Sequence, residues 1–259
     1  MTTRLVADAA QLLRQAQQDR VPIEPLTALF PGQLDVDTAW QIQQVNRDLA
    51  LAAGRSVLGY KVGLTSAAMQ QQMGVDEPDF GVLLDDMVIE HDTTLRLADF
   101  VQARAEAELA LVVGRDLGAG VTADDVIASI EHVYPALEII DSRIKDWRLS
   151  LIDTVADNAS SGAYVLGPEF DLDGTDLAEV AVRVLVDDVE VASGLGSAAL
   201  GHPAAAAAWL ADRLAGFGLI LPAGAVVLTG SLHASIPMQH GQRIVADFGA
   251  FGSVRVVAD

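Results

Sequence analysis

Two glutamates two residues apart interrupt an otherwise apolar segment that runs from Arg104 to Val113. Side chains alternate between the two faces of a β-strand, so Glu106 and Glu108 should project from one side together with Arg104. Like charges at this distance repel each other, and burying them requires a cation, a shared proton or contact with water. Oxygen ligands favour a hard divalent cation, so the pattern predicts Mg²⁺ or Mn²⁺ at this position.

A third candidate ligand, Glu138, lies between aliphatic residues in a second strand-like segment, Val133–Ile140. Burial of such an acid is costly unless it is paired or bound to a metal. Three carboxylates from two strands would supply three of the six ligand positions of an octahedral metal site. The remaining positions would stay available for water and for a chelating substrate, as a catalytic metal site requires.

The same acids also fit an interpretation without metal. Glu106 and Glu108 would then lie on a solvated face of a sheet, and Glu138 would pair with Arg143 or Lys145. A Glu-x-Glu pair in a strand is common, so the spacing alone leaves both interpretations open.

Three further polar side chains are candidates for chemistry beside such a site. Lys61 lies in an apolar segment, where an enclosed lysine can transfer protons or hold a carboxylate; a surface lysine is the alternative. Asp79 lies where a loop enters a strand, and it offers a carboxylate or merely caps a turn. Ser161 belongs to a polar cluster, residues 157–162, which suits hydrogen bonding to a small polar ligand or simply forms a turn.

Composition limits the partners of the chain. Its 259 residues carry a formal net charge of −20, and no basic run is present that could attract phosphate, which argues against nucleic acid and anionic membranes. An acidic substrate would need local positive charge from a metal, from Lys61 or from Arg104. The absence of cysteine excludes disulfides and thiolate sites, and residues 1–18 lack the apolar core of a secretory signal. A cytoplasmic location is therefore expected.

Familiar catalytic motifs of other classes are missing. The histidines show no zinc-binding spacing, and neither a Gly-x-Ser-x-Gly motif, a Gly-x-Gly-x-x-Gly motif nor a P-loop is present. These absences weaken the zinc enzyme, serine hydrolase, dinucleotide and nucleotide interpretations.

Elements of two kinds must position the candidate residues. Apolar spacing predicts helices over residues 3–19 and 39–49, with Asp35 or Asp37 as a cap, and a capped helix over residues 122–131. A helix after Pro203 and a hairpin turn at Asp187-Asp188 are also expected. Strands are predicted at 57–63, 81–84, 106–113, 133–140, 162–166, 225–229, 243–248 and 253–257. The chain should be an α+β protein with a helical region 1–55 and a catalytic β-rich domain 56–259.

Several ordered segments resemble the 2-hydroxypenta-2,4-dienoate hydratases, relatives of 4-oxalocrotonate decarboxylase in the fumarylacetoacetate hydrolase superfamily. The resemblance is carried by residues 59–65, 70–75, 78–81, 104–108, 135–138, 142–147 and 153–161, and it extends over nearly the whole chain. It implies a mixed, rolled β-sheet preceded by helices and a metal on Glu106, Glu108 and Glu138. It also implies a homo-oligomer, and a complex with a downstream aldolase or a related decarboxylase is a further expectation.

The resemblance implies addition of water to a 2-hydroxy-2,4-dienoate, giving a 4-hydroxy-2-oxo acid, in meta-cleavage catabolism of aromatic compounds or sterol rings. In that chemistry Lys61 is the candidate for proton transfer, and Asp79 would orient or deprotonate water. Ser161 and Arg104 are the candidates for binding the substrate. Residues 231–240 match no subgroup, so the distal end of the substrate stays open.

Three other functions remain as alternatives. The nearest is decarboxylation of a 4-oxalocrotonate-type 2-oxo-3-enedioate, which would need a pocket for a second carboxylate. A C–C bond hydrolase would need a Glu/His pair that activates water, and the sequence reveals none. From a different class, the chain could be a noncatalytic partner subunit, although its intact set of acids and Lys61 argues against that.

Overall fold

The structure is a computed structural model that describes residues 2–66, 70–71, 75, 77–172 and 174–259. The predicted loop before Asp79 lies partly outside these residues, because Met73, Gly74 and Asp76 are not among them. No helix in the part of the chain that the structure describes is both long and apolar enough to span a bilayer.

Four of the six described helices begin at a side-chain cap. The helices are α1 (Thr2–Asp19), α2 (Leu26–Leu29), α3 (Val36–Ala52), α4 (Ala123–Ile127), α5 (Leu151–Ala156) and α6 (Pro203–Gly216), and the four capped ones are α3 to α6. The Asp35 side chain accepts a hydrogen bond from the Thr38 amide, and His202 accepts one from the Ala204 amide ahead of α6. Both caps satisfy backbone N–H groups that a helix start leaves unpaired, which confirms the predicted starts.

The strands form two mixed sheets. They are β1 (Val57–Gly63), β2 (Asp79–Leu84), β3 (Val88–Ile89), β4 (Thr93–Leu95), β5 (Arg104–Val113), β6 (Ile130–Ile140), β7 (Ser161–Leu166), β8 (Ala181–Val186), β9 (Val189–Leu195), β10 (Val226–Leu228), β11 (Ile236–Pro237), β12 (Arg243–Asp247) and β13 (Ser253–Ala258). The larger sheet has the order β2-β1-β10-β5-β6-β7-β3 with β11 on β5, and the smaller has the order β4-β13-β12-β8-β9. These mixed sheets and N-terminal helices confirm the expected α+β architecture of a mixed β-sheet preceded by helices.

One predicted helix is too long. The helix expected over residues 122–131 starts as predicted, with Thr122 and Asp125 forming a capping box, but it ends at Ile127. Strand β6 then begins at Ile130, because Ile130 and His132 pair with the end of β5. Pairing with a distant strand overrides the local helical pattern here.

The larger sheet has two different faces. One face packs against the helices, and on it the ring of Trp40 in α3 stacks on Phe80 of β2 with centroids 4.3 Å apart. The other face carries a small apolar cluster of Leu83, Ala110, Ala136, Tyr164 and Leu228. Asp79 is the first residue of the strand that contains Phe80. Packing of Phe80 against the helices therefore also holds Asp79 in place.

Helices and strands contribute to one continuous hydrophobic core. Val6 and Leu13 of α1 and Ile42 of α3 are buried in the same cluster as Val62 of β1 and Leu109 of β5. This shared core does not test the division into residues 1–55 and 56–259, which stays a prediction.

Candidate metal centre and active site

Strand register brings the three glutamates together. Strands β5 and β6 run antiparallel with Glu106 directly opposite Glu138, and Glu108 lies two residues further along the same face. One carboxylate oxygen from each side chain lies within 4.8 Å of the others. Only 5% of Glu106, 1% of Glu108 and 0% of Glu138 is exposed. The interpretation that these acids lie on a solvated face is therefore wrong.

The proposed structural partners of Glu138 are engaged elsewhere. Arg143 Nε donates to Asp157 Oδ1 at 2.5 Å, and Lys145 Nζ lies 3.8 Å from Glu24 Oε1. Glu138 Oε2 instead lies 3.4 Å from Lys61 Nζ. The acid is thus directed toward the other candidate catalytic residues.

The glutamate oxygens are left short of partners. Glu108 Oε2 accepts a hydrogen bond from the Gly230 amide at 2.8 Å, but Glu108 Oε1 and Glu138 Oε1 have no hydrogen-bond partner among the described residues. A buried, unpartnered carboxylate oxygen carries a desolvation cost of about 1–3 kcal/mol or more. An all-oxygen set of this kind fits a hard divalent cation such as Mg²⁺.

Lys61 is enclosed at the centre of this site. The residue is 4% exposed, and its Nζ donates a hydrogen bond to the Ala159 carbonyl at 2.9 Å. Burial alone lowers the pKa of Lys61, but the negative charges of Glu138 and the neighbouring carboxylates outweigh burial and raise it. Lys61 is therefore a charged, buried lysine, and the surface interpretation is wrong.

Asp79 faces the same space. It is 2% exposed, and its Oδ2 accepts a hydrogen bond from Thr154 Oγ1 at 3.0 Å. Burial raises the pKa of Asp79, although Lys61 and Thr154 act in the opposite direction. A Cβ atom at Gly63 would lie 2.2 Å from Asp79 Oδ1 and 3.3 Å from Lys61 Nζ. The absence of a side chain at Gly63 thus makes room for the acid beside the lysine.

A strained turn supplies the groups on the far side of Lys61. Asn158, Ala159 and Ser160 have consecutive positive φ angles of 56°, 49° and 57°. Such a run of non-glycine residues costs about 1–3 kcal/mol each and persists only where surrounding contacts enforce it. Here Asn158 enforces it, because its side chain accepts from the Val82 amide and donates to the Val82 carbonyl. The turn directs the Ala159 carbonyl at Lys61 Nζ.

A buried ion pair anchors that turn. Both oxygens of Asp157 accept hydrogen bonds, Oδ1 from Arg143 Nε at 2.5 Å and Oδ2 from Ser142 Oγ at 3.1 Å. Burial raises the pKa of Asp157 to about 6 against the opposing effect of Arg143, so the acid is ionised at neutral pH. A fully hydrogen-bonded pair of this kind holds the preceding loop and the turn in one arrangement.

The catalytic candidates line one pocket of about 120 Å³. Its polar side includes Lys61, Asp79, Glu106, Thr154 and Ser160, and its apolar side includes Ile140, Trp147 and Leu149. Ser160 Oγ is buried without a hydrogen-bond partner among the described residues. This division suits a small ligand with an acidic end and a hydrocarbon end.

The two predicted substrate-binding residues do not line this pocket. Ser161 lines a separate cavity of about 610 Å³ beside α1 and α3. The Arg104 guanidinium lies over the Trp147 ring at 5.5 Å, and its Nη2 donates to the Ser235 carbonyl at 2.9 Å. Neither residue is among the lining residues of the pocket that contains Lys61, and their substrate roles stay predictions.

Several site residues were not expected from the sequence. Thr154 and Ser160 lie within a motif, residues 153–161, that could have directed attention to them. Gly230 and His233 gave no such signal, since they lie more than 100 residues from the strand that they contact. His233 Nε2 accepts from the Ala107 amide at 2.9 Å, and the Leu232 amide donates to the Ala107 carbonyl at 3.0 Å. These bonds attach the 230–235 segment to β5.

The buried acids predict an unusual pH dependence for the metal-free protein. Burial and the charge of Glu138 raise the pKa of Glu106 from 4.5 to about 7, against Lys61 and Arg104. Between pH 4.5 and about pH 7, Glu106 keeps its proton in the folded state but has lost it in the unfolded state. The free energy of unfolding therefore falls as the pH rises through this range. The expected loss from Glu106 is about 3 kcal/mol by pH 8, and Glu108 adds to it in the same direction.

A divalent cation held by these acids would replace their protons, so the stabilising effect of added Mg²⁺ should grow with pH. We expect a larger rise in Tm on adding Mg²⁺ at pH 8 than at pH 6, measured by scanning calorimetry against a chelator-treated sample. Glu179→Gln is the control, because Glu179 is exposed and lies outside the acid cluster, so this substitution should leave the pH dependence of the Mg²⁺ effect unchanged. An equal Mg²⁺ effect at both pH values would contradict the prediction.

Comparison with known proteins gives one consistent family. The model of the fumarylacetoacetate (FAA) hydrolase C-terminal family matches residues 43–257. The chain is 43% identical over 257 residues to a 2-keto-4-pentenoate hydratase of Paraburkholderia xenovorans, covering 98% of this chain and 95% of the relative. It is 41% identical over 244 residues to a 2-hydroxyhexa-2,4-dienoate hydratase of Comamonas testosteroni, covering 93% and 92%.

A solved structure matches the fold along the entire chain. It is a 4-oxalocrotonate decarboxylase of Pseudomonas putida complexed with magnesium and adipate, 32% identical, with a TM-score of 0.96. The match covers 100% of this chain and 98% of the decarboxylase. The curated relatives and the solved structure therefore point to two different reactions on one fold.

Proposed function

The chain belongs to the FAA hydrolase C-terminal family, and from this membership and its site we infer that it is a hydratase of aromatic meta-cleavage catabolism. Its reaction is addition of water to a 2-hydroxy-2,4-dienoate of the 2-hydroxypenta-2,4-dienoate type, with a 4-hydroxy-2-oxo acid as product. Hydratase relatives that are 41–43% identical over almost their whole length support this substrate class. The observation that carries the proposal is the cluster of three buried glutamates, one of which, Glu106, lines the same small pocket as Lys61 and Asp79.

The three glutamates are the proposed holders of a divalent cation. The unpartnered oxygens of Glu108 and Glu138 and the burial of all three acids support this role. When bound, Mg²⁺ or Mn²⁺ supplies Lewis acidity that lowers the cost of negative charge on the substrate's 2-oxygen. The Mg²⁺ in the related decarboxylase structure favours magnesium.

Lys61 is the proposed proton-transfer group. Formation of the 2-oxo acid moves a proton from the 2-hydroxyl to C5, and the later addition of water places hydroxide on C4 and a proton on C3. The Lys61 ammonium stands at the polar side of the pocket, held by Ala159 and Glu138, and can deliver a proton to a carbon of the substrate. Its positive charge also offsets the surrounding carboxylates.

Asp79 is the proposed group that orients the attacking water. Its Oδ2 is fixed by Thr154, and Lys61 lies near its Oδ1 across Gly63. An acid held in this way can accept a hydrogen bond from water and take its proton as the oxygen bonds to C4. Ser160, whose hydroxyl has no partner among the described residues, is available to bind the substrate.

The variant Thr154→Val tests the role of Asp79 without altering a charge. Loss of the hydrogen bond to Asp79 Oδ2 is expected to lower kcat about tenfold, because an acid without its fixed orientation positions water less well. The measurement is the steady-state rate of dienoate hydration. Thr27→Val is the matched control, since Thr27 makes a similar bond, 2.9 Å to Asp153 Oδ2, outside the pocket. Equal effects of the two substitutions would argue against the positioning role.

Decarboxylation is the second candidate reaction, favoured by the TM-score of 0.96 to the decarboxylase structure. The two functions separate in one experiment. The purified protein with Mg²⁺ is incubated with 2-hydroxypenta-2,4-dienoate or with 4-oxalocrotonate, and the 4-hydroxy-2-oxo acid and CO₂ are measured. The proposed function predicts the first product from the first substrate. Release of CO₂ from 4-oxalocrotonate with no hydration would instead assign the chain as a decarboxylase.

Assembly and location form the last part of the proposal. The edge strand β9 exposes apolar side chains, with Val189 64%, Val191 50% and Leu195 44% exposed. An unpaired edge of this kind favours association with another chain, which supports the proposed homo-oligomer. Light scattering after gel filtration would measure its mass. A complex with an aldolase or decarboxylase of the same pathway, and a cytoplasmic location, complete the proposal.

A further inference from the structure

We infer that Trp147 is the wall that limits the substrate's distal end, so that the site takes dienoates with a short, uncharged substituent at C5. This inference rests on the proposed function and adds to it the class of substrate. Arg104 and Gln102 act on specificity through Trp147, as positioning residues.

Trp147 stands between two cavities. It lines the 120 Å³ pocket that contains Lys61, and it also lines a neighbouring surface cleft of about 370 Å³. Phe100, Arg104 and Met238 line the cleft but not the pocket. Among the described residues, Trp147 is the lining residue that the pocket and the cleft share, and we expect removal of its indole ring to join the two spaces.

The backbone at Trp147 is held in a strained conformation. Asp146 and Trp147 have φ angles of 57° and 54°, the left-handed region that non-glycine residues rarely adopt. Gln102 enforces this conformation with three hydrogen bonds. Its Oε1 accepts from the Asp146 amide at 2.9 Å, and its Nε2 donates to the Ser142 and Ile144 carbonyls at 2.9 and 2.8 Å.

Arg104 holds the indole ring itself. Its guanidinium lies 5.5 Å from the centre of the ring, while its Nη2 donates to the Ser235 carbonyl on the opposite rim. Gln102 and Arg104 continue the two-residue spacing of Glu106 and Glu108 along the same stretch of chain. The strand that carries two of the acids thus also fixes the wall facing them.

This arrangement selects against a distal carboxylate. Of the described residues that line the pocket, Lys61 is the one cation, and Glu138 and the Ala159 carbonyl already engage it. Arg104 lines the cleft and not the pocket; its guanidinium lies over the Trp147 ring and its Nη2 donates to the Ser235 carbonyl, while its buried Nε has no hydrogen-bond partner among the described residues. A distal carboxylate would therefore be buried without a partner, whereas a short alkyl group would contact Ile140 and Leu149.

The test joins the two cavities by substitution at Trp147. Trp147→Ala is compared with Trp147→Phe, which keeps a ring, and Trp147→Leu is a second reduced variant should alanine not fold. With Mg²⁺ present, calorimetry measures binding of 2-oxopentanoate, 2-oxooctanoate and 2-oxoadipate, and kcat/KM is measured for the short dienoate. We expect the alanine variant to bind 2-oxooctanoate and 2-oxoadipate at least tenfold tighter relative to 2-oxopentanoate than the wild type does. The phenylalanine variant should keep the wild-type preference.

Arg104→Gln in the alanine background separates size from charge. It should abolish the increase in relative affinity for 2-oxoadipate and leave the increase for 2-oxooctanoate, because only the diacid would pair with the guanidinium. Arg104→Lys in the same background should restore part of that increase, an effect that a purely structural arginine would not produce. Unchanged relative binding in the alanine and leucine variants would overturn the inference.

The proposed function fails separately. If the wild type hydrates no dienoate, the hydratase assignment is lost, yet the relative binding of the three 2-oxo acids still decides the role of Trp147. If the wild type hydrates the short dienoate and the alanine variant shows no change in preference, the role of Trp147 alone is overturned.

Discussion

Replacing Lys61 with methionine is expected to lower kcat for dienoate hydration about 1000-fold while Mg²⁺ binding is retained. Methionine fills a similar volume but carries no proton and no charge. Lys61 is the one cation among the described residues that line the pocket, so no neighbouring basic side chain can replace it. The measurement is the single-turnover decay of the dienol absorbance at saturating Mg²⁺.

Two comparisons make this result specific. Lys145→Met is the matched control, because Lys145 is the chain's other lysine and its side chain is 50% exposed near Glu24. That substitution should leave kcat within twofold of the wild type. Lys61→Met with kcat within tenfold of the wild type would remove the lysine from the mechanism. A loss of Mg²⁺ affinity equal to the loss of rate would instead assign Lys61 to the support of Glu138.

The acid cluster could be predicted from the sequence because its signals are local. A two-residue spacing places Glu106 and Glu108 on one face of any strand, and an acid between aliphatic residues, such as Glu138, is informative by itself. The register that puts Glu106 opposite Glu138 is not local. Ligand chemistry and the resemblance to a known family both grouped the two segments, but the register itself is given only by the folded strands.

The two neighbouring serines show what a sequence pattern cannot decide. Ser161 was the predicted substrate-binding residue, but Ser160 lines the pocket that contains Lys61. Three left-handed residues in succession, Asn158 to Ser160, break the alternation that a strand would impose. Since long-range bonds from Asn158 to β2 stabilise that turn, no short-range pattern indicates which serine faces Lys61.

The wall formed by Trp147 depends equally on distant contacts. Gln102 and Arg104 reach the 142–147 loop and Ser235 across long separations in the chain. The sequence suggested Arg104 as a substrate ligand because it shares a face with the glutamates. Its guanidinium also lies over the Trp147 ring, a contact that only the folded arrangement reveals.

Glu108→Gln is expected to change activity and stability in opposite directions. Glutamine can still accept the hydrogen bond from the Gly230 amide, so the local backbone should be preserved. The variant loses one of three anionic ligands, and we expect Mg²⁺-dependent kcat/KM to fall at least about 10,000-fold. Burial and the charges of Glu138 and Glu106 hold the pKa of Glu108 well above its usual range. Glutamine replaces an acid that the metal-free fold must either bury as a charge or keep protonated, so it should stabilise the metal-free protein by about 1–3 kcal/mol at pH 8.

Urea unfolding in the presence of a chelator measures the stability change, and the hydration assay measures the rate. Glu179→Gln is the matched control, since Glu179 is exposed and the same substitution there should alter neither quantity. The two signs together distinguish a metal ligand from a structural acid. Substitution of a metal ligand that destabilises the empty site gives an inactive but more stable protein. Substitution of an acid that supports the fold gives a less stable protein. A destabilised metal-free Glu108→Gln protein would therefore contradict the assignment of this glutamate to the metal centre.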